Sequence, residues 1–472
     1  MVKAARKGAL TAQNGKANGS GKVTANGKVN ASGHGNANGN GNANGSGNAN
    51  GSGNANGSGR HAQADALPGQ VVLVLQGGGA LGAYQVGVYE AMHDAGVEPD
   101  WVIGTSIGAI NAALIAGNAP AQRMNRLREF WARVEHGAEL DLLSYFTGLI
   151  NASANFATVM KGIPAFFEPN PIAWLSSHLE LGVDKASYYS VAPLRATLGD
   201  LIDLEHLSSR HVRLTVGAVN ARTGEMRYFD SRDAPVRLDH VLASGALPPA
   251  FPAVRIDGDP YWDGGIYSNT PIEAVLDDKP RKDSVIFAVQ MWNPEGPDPQ
   301  TLWQVLGRQK DIQYASRAQS HIARQKQIHH LRHIIREMSK RAPDKLRDDP
   351  EFKELAAWGC GTTMHVARLI APKLDGEDHT KDIDFTPKGI RARWTAGYID
   401  TQRMLALAPW QKPVDPVDGV VIHDLPSVLA QASVLDARGR AHGAPGRKYH
   451  DALPTTQSGD LTNSLPAKNA AA

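Results

Sequence analysis

The stretch that decides the fold lies between residues 71 and 108. Residues 71–82 read VVLVLQGGGALG, an apolar run followed by a glycine loop, and residues 102–108 read VIGTSIG. Five consecutive apolar, β-prone residues at 71–75 predict a strand buried inside a parallel sheet. A helix-like segment separates the two motifs. The pattern therefore predicts strand, glycine loop, helix, short strand and tight turn.

The glycine loop predicts an anion site. Gly77, Gly78 and Gly79 lack Cβ atoms, so they can take backbone angles that are closed to other residues. When such a loop precedes a helix, its N–H groups converge beside the positive end of the helix dipole. The anion stabilised there is either a nucleotide phosphate or the oxyanion of a tetrahedral intermediate.

The same loop opens the alternative of a dinucleotide site, because residues 77–82 match Gly-x-Gly-x-x-Gly. A Rossmann fold needs an acidic residue at a strand end about 20 residues further on. Glu98 and Asp100 stand near that position, but Pro99 lies between them and both precede the strand at 101–103. This arrangement makes the dinucleotide the minor alternative.

Residues 104–108 form Gly-x-Ser-x-Gly. In a nucleophile elbow of this kind the serine sits on a tight strand-to-helix turn with its hydroxyl exposed. Gly104 and Gly108 let the neighbouring backbone pass close by, and the apolar helix beginning at Ile107 directs its N-terminus at Ser106. Alone, the motif is also explained by ordinary helix capping. Two such motifs in consecutive strand–turn–helix units are much more specific.

Composition sets the domain count and the compartment. The chain has 472 residues, a net charge of +2 and one cysteine. Its length allows two or three domains. The single Cys360 excludes an internal disulfide and fits a reducing compartment. No apolar run approaches the roughly 20 residues of a membrane span, so we expect a cytoplasmic protein.

Both ends of the chain differ from its middle. Residues 1–66 contain three perfect GNANGS repeats at 41–58 and almost no large apolar residue. Such a segment cannot bury enough surface to offset its ordering entropy, which predicts a disordered low-complexity tail. It also lacks the apolar region of a secretory signal. Residues 426–472 are polar and rich in glycine, proline and alanine, so they are predicted to form a second disordered tail.

Between the tails the pattern predicts further helices and strands. Helices are expected at 121–134, 241–246 and 271–276, hairpins at 212–230 and 254–262, and strands at 285–291 and 363–370. Residues 140–180 are apolar but irregular, and they allow either a lid or acyl-chain pocket, or ordinary wrapping around a core. Their large aromatic residues are Phe146, Phe156, Phe166, Phe167 and Trp174.

A third motif, Asp263-Gly264-Gly265, follows the predicted strand at 261–262. Alone, such an aspartate usually satisfies its own turn. Together with the two earlier motifs, in this order, it makes the chain resemble the patatin-like phospholipases, lipid acyl hydrolases that use a Ser–Asp dyad. The resemblance covers roughly residues 70–290. It implies a three-layer α/β/α fold with a mainly parallel central sheet, in a catalytic domain that we place at 67–300.

The resemblance also implies roles for individual residues. Ser106 would be the nucleophile and Asp263 its partner, with neither metal nor cofactor. Leu81 stands where the family usually carries Arg or Lys, so the oxyanion would depend on backbone N–H groups. The glycines implied in the oxyanion hole are Gly77, Gly78, Gly79 and Gly82, and those of the elbow and the turn are Gly104, Gly108, Gly264 and Gly265.

The chemistry of these roles is simple. A serine is a weak nucleophile until a base accepts its proton. Asp263 can do this if burial raises its pKa above the ordinary value of about 3.9. The implied function is hydrolysis of a lipid ester in lipid catabolism. Two alternatives stay open: a Ser-His-Asp hydrolase, for which His321, His365 and His423 are candidates, and a non-catalytic lipid-binding or scaffolding protein.

Residues 301–425 predict a mostly helical extension, which resembles the uncharacterised extension of some bacterial members. The helix predicted at 302–341 has nine Lys or Arg against two acidic residues. Its apolar stripe is expected to pack on the catalytic domain; the alternative is a basic amphipathic helix on an anionic membrane or lipid-body surface. No aromatic pattern supports a nucleic-acid partner. The stripe consists of Ile328, Leu331, Ile334, Ile335 and Met338. A last helix, capped by Thr386, is expected at 385–404.

Overall fold

The computed structural model describes residues 67–136, 162–172, 178, 180–374 and 377–426. The strands in these ranges are β1 Gln70–Leu75, β2 Trp101–Gly104, β3 Glu168–Pro169, β4 Tyr189–Ser190, β5 Arg213–Asn220, β6 Met226–Asp230, β7 Val254–Ile256, β8 Asp259–Asp263, β9 Ser284–Gln290, β10 Met364–Ile370 and β11 Val420–Asp424. The helices are α1 Ala83–Asp94, α2 Ile107–Ala116, α3 Pro120–Val134, α4 Ala192–Leu201, α5 Leu204–Ser209, α6 Leu238–Ser244, α7 Glu273–Leu276, α8 Leu302–Arg341, α9 Asp344–Arg347, α10 Pro350–Ala356 and α11 Pro387–Leu407.

The central sheet is mainly parallel. Its strand order is β11-β10-β9-β1-β2-β5-β8-β7, with β6 paired to β5. The five neighbouring pairs from β11 to β5 are parallel, whereas β6, β7 and β8 pair antiparallel. Parallel strands bring their carboxyl ends to one edge, so the residues that follow β1, β2 and β9 meet there.

Side chains of alternating strand residues enter two separate cores, one on each face of the sheet. Leu73 and Leu75 point into the core that α1, α2, α3 and α11 cover. Val72 and Val74 point into the opposite core, which Ile272 and Ile322 help to close. Because both faces are buried, β1 reads as an unbroken apolar run. The expected three-layer α/β/α arrangement is confirmed.

The C-terminal region completes this sheet. β10, which was predicted, pairs in parallel with β9, and β11, which was not predicted, pairs in parallel with β10. Helix α11 crosses α1 so closely that a Cβ on Gly87 would lie 1.9 Å from the carbonyl oxygen of Trp394. A Cβ on Gly397 would likewise lie 2.0 Å from the carbonyl oxygen of Tyr84. Only glycines permit this crossing. As predicted, Thr386 caps α11 through its side chain.

Helix α8 is one continuous helix of 40 residues, but the predicted apolar stripe is not its main buried face, because three of the five members are only half-buried. Leu331 and Met338 of the apolar stripe are 60% and 68% exposed. The packed face instead carries Ile322, His329 and His333. The histidine rings lie against carbonyl oxygens, at 3.1 Å from Leu276 at the end of α7 and 2.8 Å from Pro416 in a loop. This helix therefore covers polar backbone groups as well as the apolar core that Ile322 enters.

The predicted aromatic segment at 140–180 is only partly described. Phe166 and Phe167 pack edge to face with each other and with Phe251, and Phe167 also contacts Tyr189. For these two residues, wrapping around the core is confirmed. Phe146, Phe156 and Trp174 lie outside the described residues, as do the two predicted tails apart from Pro426.

Candidate active site

Ser106 stands on a strained turn between β2 and α2. Its φ and ψ angles of 58° and −129° are unusual for a residue with a side chain. Two hydrogen bonds connect this turn to β5. The Ser106 N–H donates to Ser244 Oγ at 3.0 Å, and that hydroxyl donates to the Gly217 carbonyl at 2.6 Å. Gly104 leaves no room for a Cβ, which would lie 2.3 Å from the Gly108 carbonyl oxygen. The sequence Gly-x-Ser-x-Gly therefore forms the predicted elbow.

Asp263 ends β8 opposite Ala218 of β5 and is 1% exposed. Its Oδ1 accepts a hydrogen bond of 2.7 Å from the N–H of Gly265. Burial raises the pKa of Asp263 to about 7, although the Ser106 side chain and the Gly265 N–H both act to lower it. A carboxyl group with such a pKa can exchange a proton near neutral pH.

The glycine loop lies directly against the serine. A Cβ on Gly77 would come within 2.8 Å of Ser106 Cβ. The Gly77 N–H donates to the Asn269 carbonyl at 3.2 Å, and the Gly77 carbonyl accepts from Asn269 Nδ2 at 3.0 Å and from Trp292 Nε1 at 2.8 Å. With its N–H engaged in this way, Gly77 anchors the loop, which leaves Gly78 and Gly79 as the candidate donors.

The remaining predicted glycines serve close packing. Gly82 begins α1 where a Cβ would lie 2.6 Å from Ile107 Cγ1, and Gly264 lies where a Cβ would meet the Gly217 carbonyl oxygen at 2.5 Å. The structure therefore gathers Gly77, Ser106, Asp263 and Gly265 at one point, and it uses the other predicted glycines to bring their elements together.

Sequence reasoning missed Gln76, which connects three parts of the site. This side chain is fully buried. Its Nε2 donates to Thr270 Oγ1 at 2.7 Å, and its Oε1 accepts the N–H of Trp292 at 3.1 Å. The only signal in the sequence was a polar residue at the end of an apolar strand. Ser244 gave no signal at all.

The residues that a dinucleotide site or a Ser-His-Asp hydrolase would need make other contacts in the structure. Asp100 accepts the Val71 N–H at 2.8 Å, and Glu98 accepts hydrogen bonds from Tyr89 and Arg123, so both acids are used within the fold. His321 lies 3.2 Å from a carboxylate oxygen of Glu273. The other two candidate histidines, His365 and His423, pair with each other at 2.9 Å on β10 and β11.

Comparison with known proteins gives two family matches. The family described as "Patatin-like phospholipase" matches residues 73–276, and one described as "Patatin phospholipase" matches residues 312–417. The first match contains the elbow, the glycine loop and Asp263. The second contains most of α8 and all of β10 and α11.

Individual relatives match over shorter ranges. Lysophospholipase nte1 of Aspergillus terreus is 47% identical over 76 residues, which are 16% of this chain and 5% of that protein. The cGAMP-activated phospholipase of Pseudomonas aeruginosa is 27% identical over 218 residues, which are 43% of this chain and 55% of that protein. The chain thus spans a small part of the first relative and about half of the second.

Among solved structures, VipD from Legionella pneumophila is similar over 72% of this chain and 67% of that chain, at 16% identity and a TM-score of 0.30. A likeness at this level adds nothing to the topology described above. The first family match covers the part of the chain that carries the site, and the second covers most of the C-terminal region. On these grounds the chain belongs to the patatin-like phospholipase family.

Proposed function

We propose that the protein is a serine lipid acyl hydrolase that uses Ser106 and Asp263 as a catalytic dyad. One observation carries the proposal: a serine on a strained elbow acts on the pKa of a fully buried carboxyl group, and burial raises that pKa to about 7. Structural carboxylates in ion pairs usually have lowered pKa values, whereas a raised pKa beside a candidate nucleophile is typical of a general base.

The mechanism follows from these positions. Asp263 accepts the Ser106 proton while the serine oxygen attacks the ester carbonyl carbon. The N–H groups of Gly78 and Gly79 stabilise the developing negative oxygen, an effect worth roughly 3–4 kcal/mol per donor in comparable sites. Asp263 then protonates the leaving alcohol. In the second half it takes a proton from water, and the resulting attack on the acyl-serine releases the carboxylic acid and restores Ser106.

The substrate class is proposed from the family and from its named relatives. Phospholipase and lysophospholipase are the activities that those relatives' names give. Hydrolysis of a phospholipid or another lipid ester, as a step of lipid catabolism, is the reaction that we propose for this chain. The mechanism uses only side chains and backbone groups of the chain and requires neither a metal nor a cofactor.

We also propose that the protein binds to a lipid surface as a peripheral protein, without crossing the bilayer. No helix in the described ranges has both the length and the apolar character to cross a bilayer. α8 presents exposed basic side chains, and the segment that follows α10 is joined to α8 by the hydrogen bond from the Cys360 N–H to the Arg332 carbonyl. Four exposed apolar side chains of the C-terminal part of α8, of α10 and of that segment form what we call the apolar patch: Leu331, Met338, Leu355 and Trp358.

The test is labelling of the purified protein with a fluorophosphonate, which reacts with activated serines. We expect labelling of the parent, none of Ser106→Ala, and labelling of Asp263→Asn slowed by about a hundredfold or more, since a general base contributes roughly 10²–10⁴-fold. Ser208→Ala, which removes an exposed serine on α5, is the matched control and should label like the parent.

The outcomes separate the candidate functions. Full labelling of folded Ser106→Ala would show that another residue is the nucleophile. A folded parent that is not labelled, but that binds phospholipid vesicles, would support the non-catalytic lipid-binding or scaffolding function instead. Release of fatty acid from phospholipid by the parent, and not by Ser106→Ala, would establish the hydrolase.

A further inference from the structure

A segment from the C-terminal region lies against the glycine loop. We call residues 377–385 the strap. Its 3₁₀ turn, Lys381–Ile383, contacts the turn Gly79–Gly82, which begins with one of the two proposed oxyanion donors. The contact is tight, because Gly79 has a φ of +57° and a Cβ on it would lie 2.2 Å from the Asp382 carbonyl oxygen. The strap backbone therefore limits where the peptide groups of this loop can lie.

Two ion pairs join the strap to α8. Lys310 Nζ lies 2.7 Å from Asp382 Oδ1, and Lys381 Nζ lies 2.7 Å from Asp311 Oδ1. Each element thus carries a lysine followed by an aspartate, and each lysine pairs with the aspartate of the other element. The side chains of Lys381 and Asp311 are only 13% and 20% exposed. Partial removal from water strengthens such pairs relative to those on an open surface. We call these four residues the clamp.

The clamp also reaches the other end of the loop. Lys381 Nζ lies 5.2 Å from the ring centre of Trp292, within the range of a cation–π interaction. The indole Nε1 of that tryptophan donates to the Gly77 carbonyl at 2.8 Å. It also lies where a Cβ on Gly78 would be 3.1 Å away. The strap therefore touches Gly79 directly and supports Gly77 and Gly78 through Trp292.

Packing alone does not fix this part of the strap. A cavity of about 710 Å³ lies beside it, lined by strap residues including His379 and Lys381, by Trp303 and Arg308 of α8, and by Leu81. The strap is anchored at its end by Phe385, which is 4% exposed and stacks on Trp131. Arg393 of α11 also pairs with Glu377 and Asp384 of the strap, at 3.4 and 3.2 Å. Within the turn Lys381–Ile383, the described ion pairs are those to Lys310 and Asp311.

We propose that the clamp positions the oxyanion loop, so that the C-terminal region is part of the active site. The inference rests on the proposed function of Ser106. Lys310, Asp311, Lys381 and Asp382 are positioning residues, because they act through Gly79 and Trp292. When the clamp opens, the Gly78 and Gly79 N–H groups shift relative to the developing oxyanion. Displacement of a catalytic group by about 1 Å can cost up to about a hundredfold in rate.

A charge swap tests the proposal. In Lys310→Asp and in Asp382→Lys we expect kcat to fall by about tenfold to a hundredfold with KM nearly unchanged. The double variant, Lys310→Asp with Asp382→Lys, restores the ion pair with the two charges exchanged between the elements. It should regain most of the lost kcat. Arg368→Gln is the control, because it breaks an ion pair with Asp424 between β10 and β11 without touching the strap; its kcat should equal that of the parent.

The outcomes distinguish this inference from the proposed function. If the parent is active and both single variants keep the parent's kcat, the clamp does not position the loop, even if their melting temperatures fall. If the single variants lose activity and the double variant does not recover it, pairing is not the cause. If either single variant fails to fold, Lys310→Gln and Lys381→Met are measured in its place and judged by the same kcat. A parent that reacts with no fluorophosphonate overturns the hydrolase itself.

Discussion

At the scale of single residues, the Asp263 carboxyl group is the feature with the clearest consequences. The Gly265 N–H and the Ser106 side chain stabilise its charged form, but full burial outweighs them and raises its pKa to about 7. The protonated form cannot accept the Ser106 proton. We therefore expect kcat/KM, and the rate of fluorophosphonate labelling, to rise about tenfold per pH unit below about 7 and to level off above it.

The same titration predicts a dependence of stability on pH. The folded pKa, about 7, lies above the ordinary aspartate value of 3.8, so the folded state binds the proton more tightly than the unfolded state. The free energy of unfolding of the parent should therefore fall, relative to Asp263→Asn, as pH rises from about 4 to about 7. The total change should be on the order of 4 kcal/mol. Denaturant unfolding of both proteins at several pH values measures it, and a pH-independent difference would contradict the raised pKa.

The sequence could predict a site residue only where that residue stands in a recognisable local motif. Ser106 and Asp263 each stand in a short glycine motif, so their positions could be predicted. Gln76 and Asn269 act through hydrogen bonds to residues about 190 or more positions away. Nothing near them in the chain indicates those partners, because the sheet alone brings the ends of its strands together.

At the scale of secondary structure, apolar periodicity located the elements but misassigned the buried face of α8. Apolar periodicity indicates the buried face of a helix only where the helix packs on an apolar surface. α8 buries Ile322 in an apolar core, but on the same face its histidine and glutamine side chains form hydrogen bonds to carbonyl and carboxylate oxygens. Gln325, for example, donates to Asp277 at 2.7 Å. β11 was missed for a related reason, because it is five residues long and ends with a histidine and an aspartate.

This assignment can be tested by comparing substitutions on the two faces of α8. Leu331→Gln and Met338→Gln change exposed side chains, so the free energy of unfolding should change by no more than about 0.5 kcal/mol. Ile322→Ala removes a side chain that is 1% exposed and should cost about 2–5 kcal/mol. Urea unfolding measures all three. A larger loss for the stripe variants than for Ile322→Ala would restore the original prediction.

At the scale of the whole molecule, the region after residue 300 contributes to both the sheet and the surroundings of the site. β10 continues the parallel sheet beyond β9, and α11 crosses α1 through a pair of glycines. α8 lies beside the site at one end, where Tyr314 packs against Trp292, and presents the apolar patch at the other. One helix therefore links the edge of the sheet that carries the proposed active site to the surface that we propose binds lipid.

Binding to a lipid surface should depend on the basic side of this helix. Exposed cations near an anionic bilayer contribute about 1 kcal/mol each. Of the five basic side chains that the structure describes as exposed on α8, four are chosen: Arg324, Lys326, Arg336 and Lys340. Replacing all four with glutamine should weaken binding to vesicles of ether-linked phosphatidylserine and phosphatidylcholine by about a hundredfold or more. The ether linkage prevents hydrolysis during the flotation measurement.

The control must remove the same charge from elsewhere. Arg195, Arg222, Arg237 and Arg255 are exposed on other elements, and their replacement by glutamine lowers the net charge equally. If the basic side of α8 meets the membrane, this control should keep most of the binding, and both proteins should bind neutral vesicles equally weakly. Equal losses in the two variants would mean that only net charge matters, whereas unchanged binding of the α8 variant would exclude α8 as the lipid-binding face.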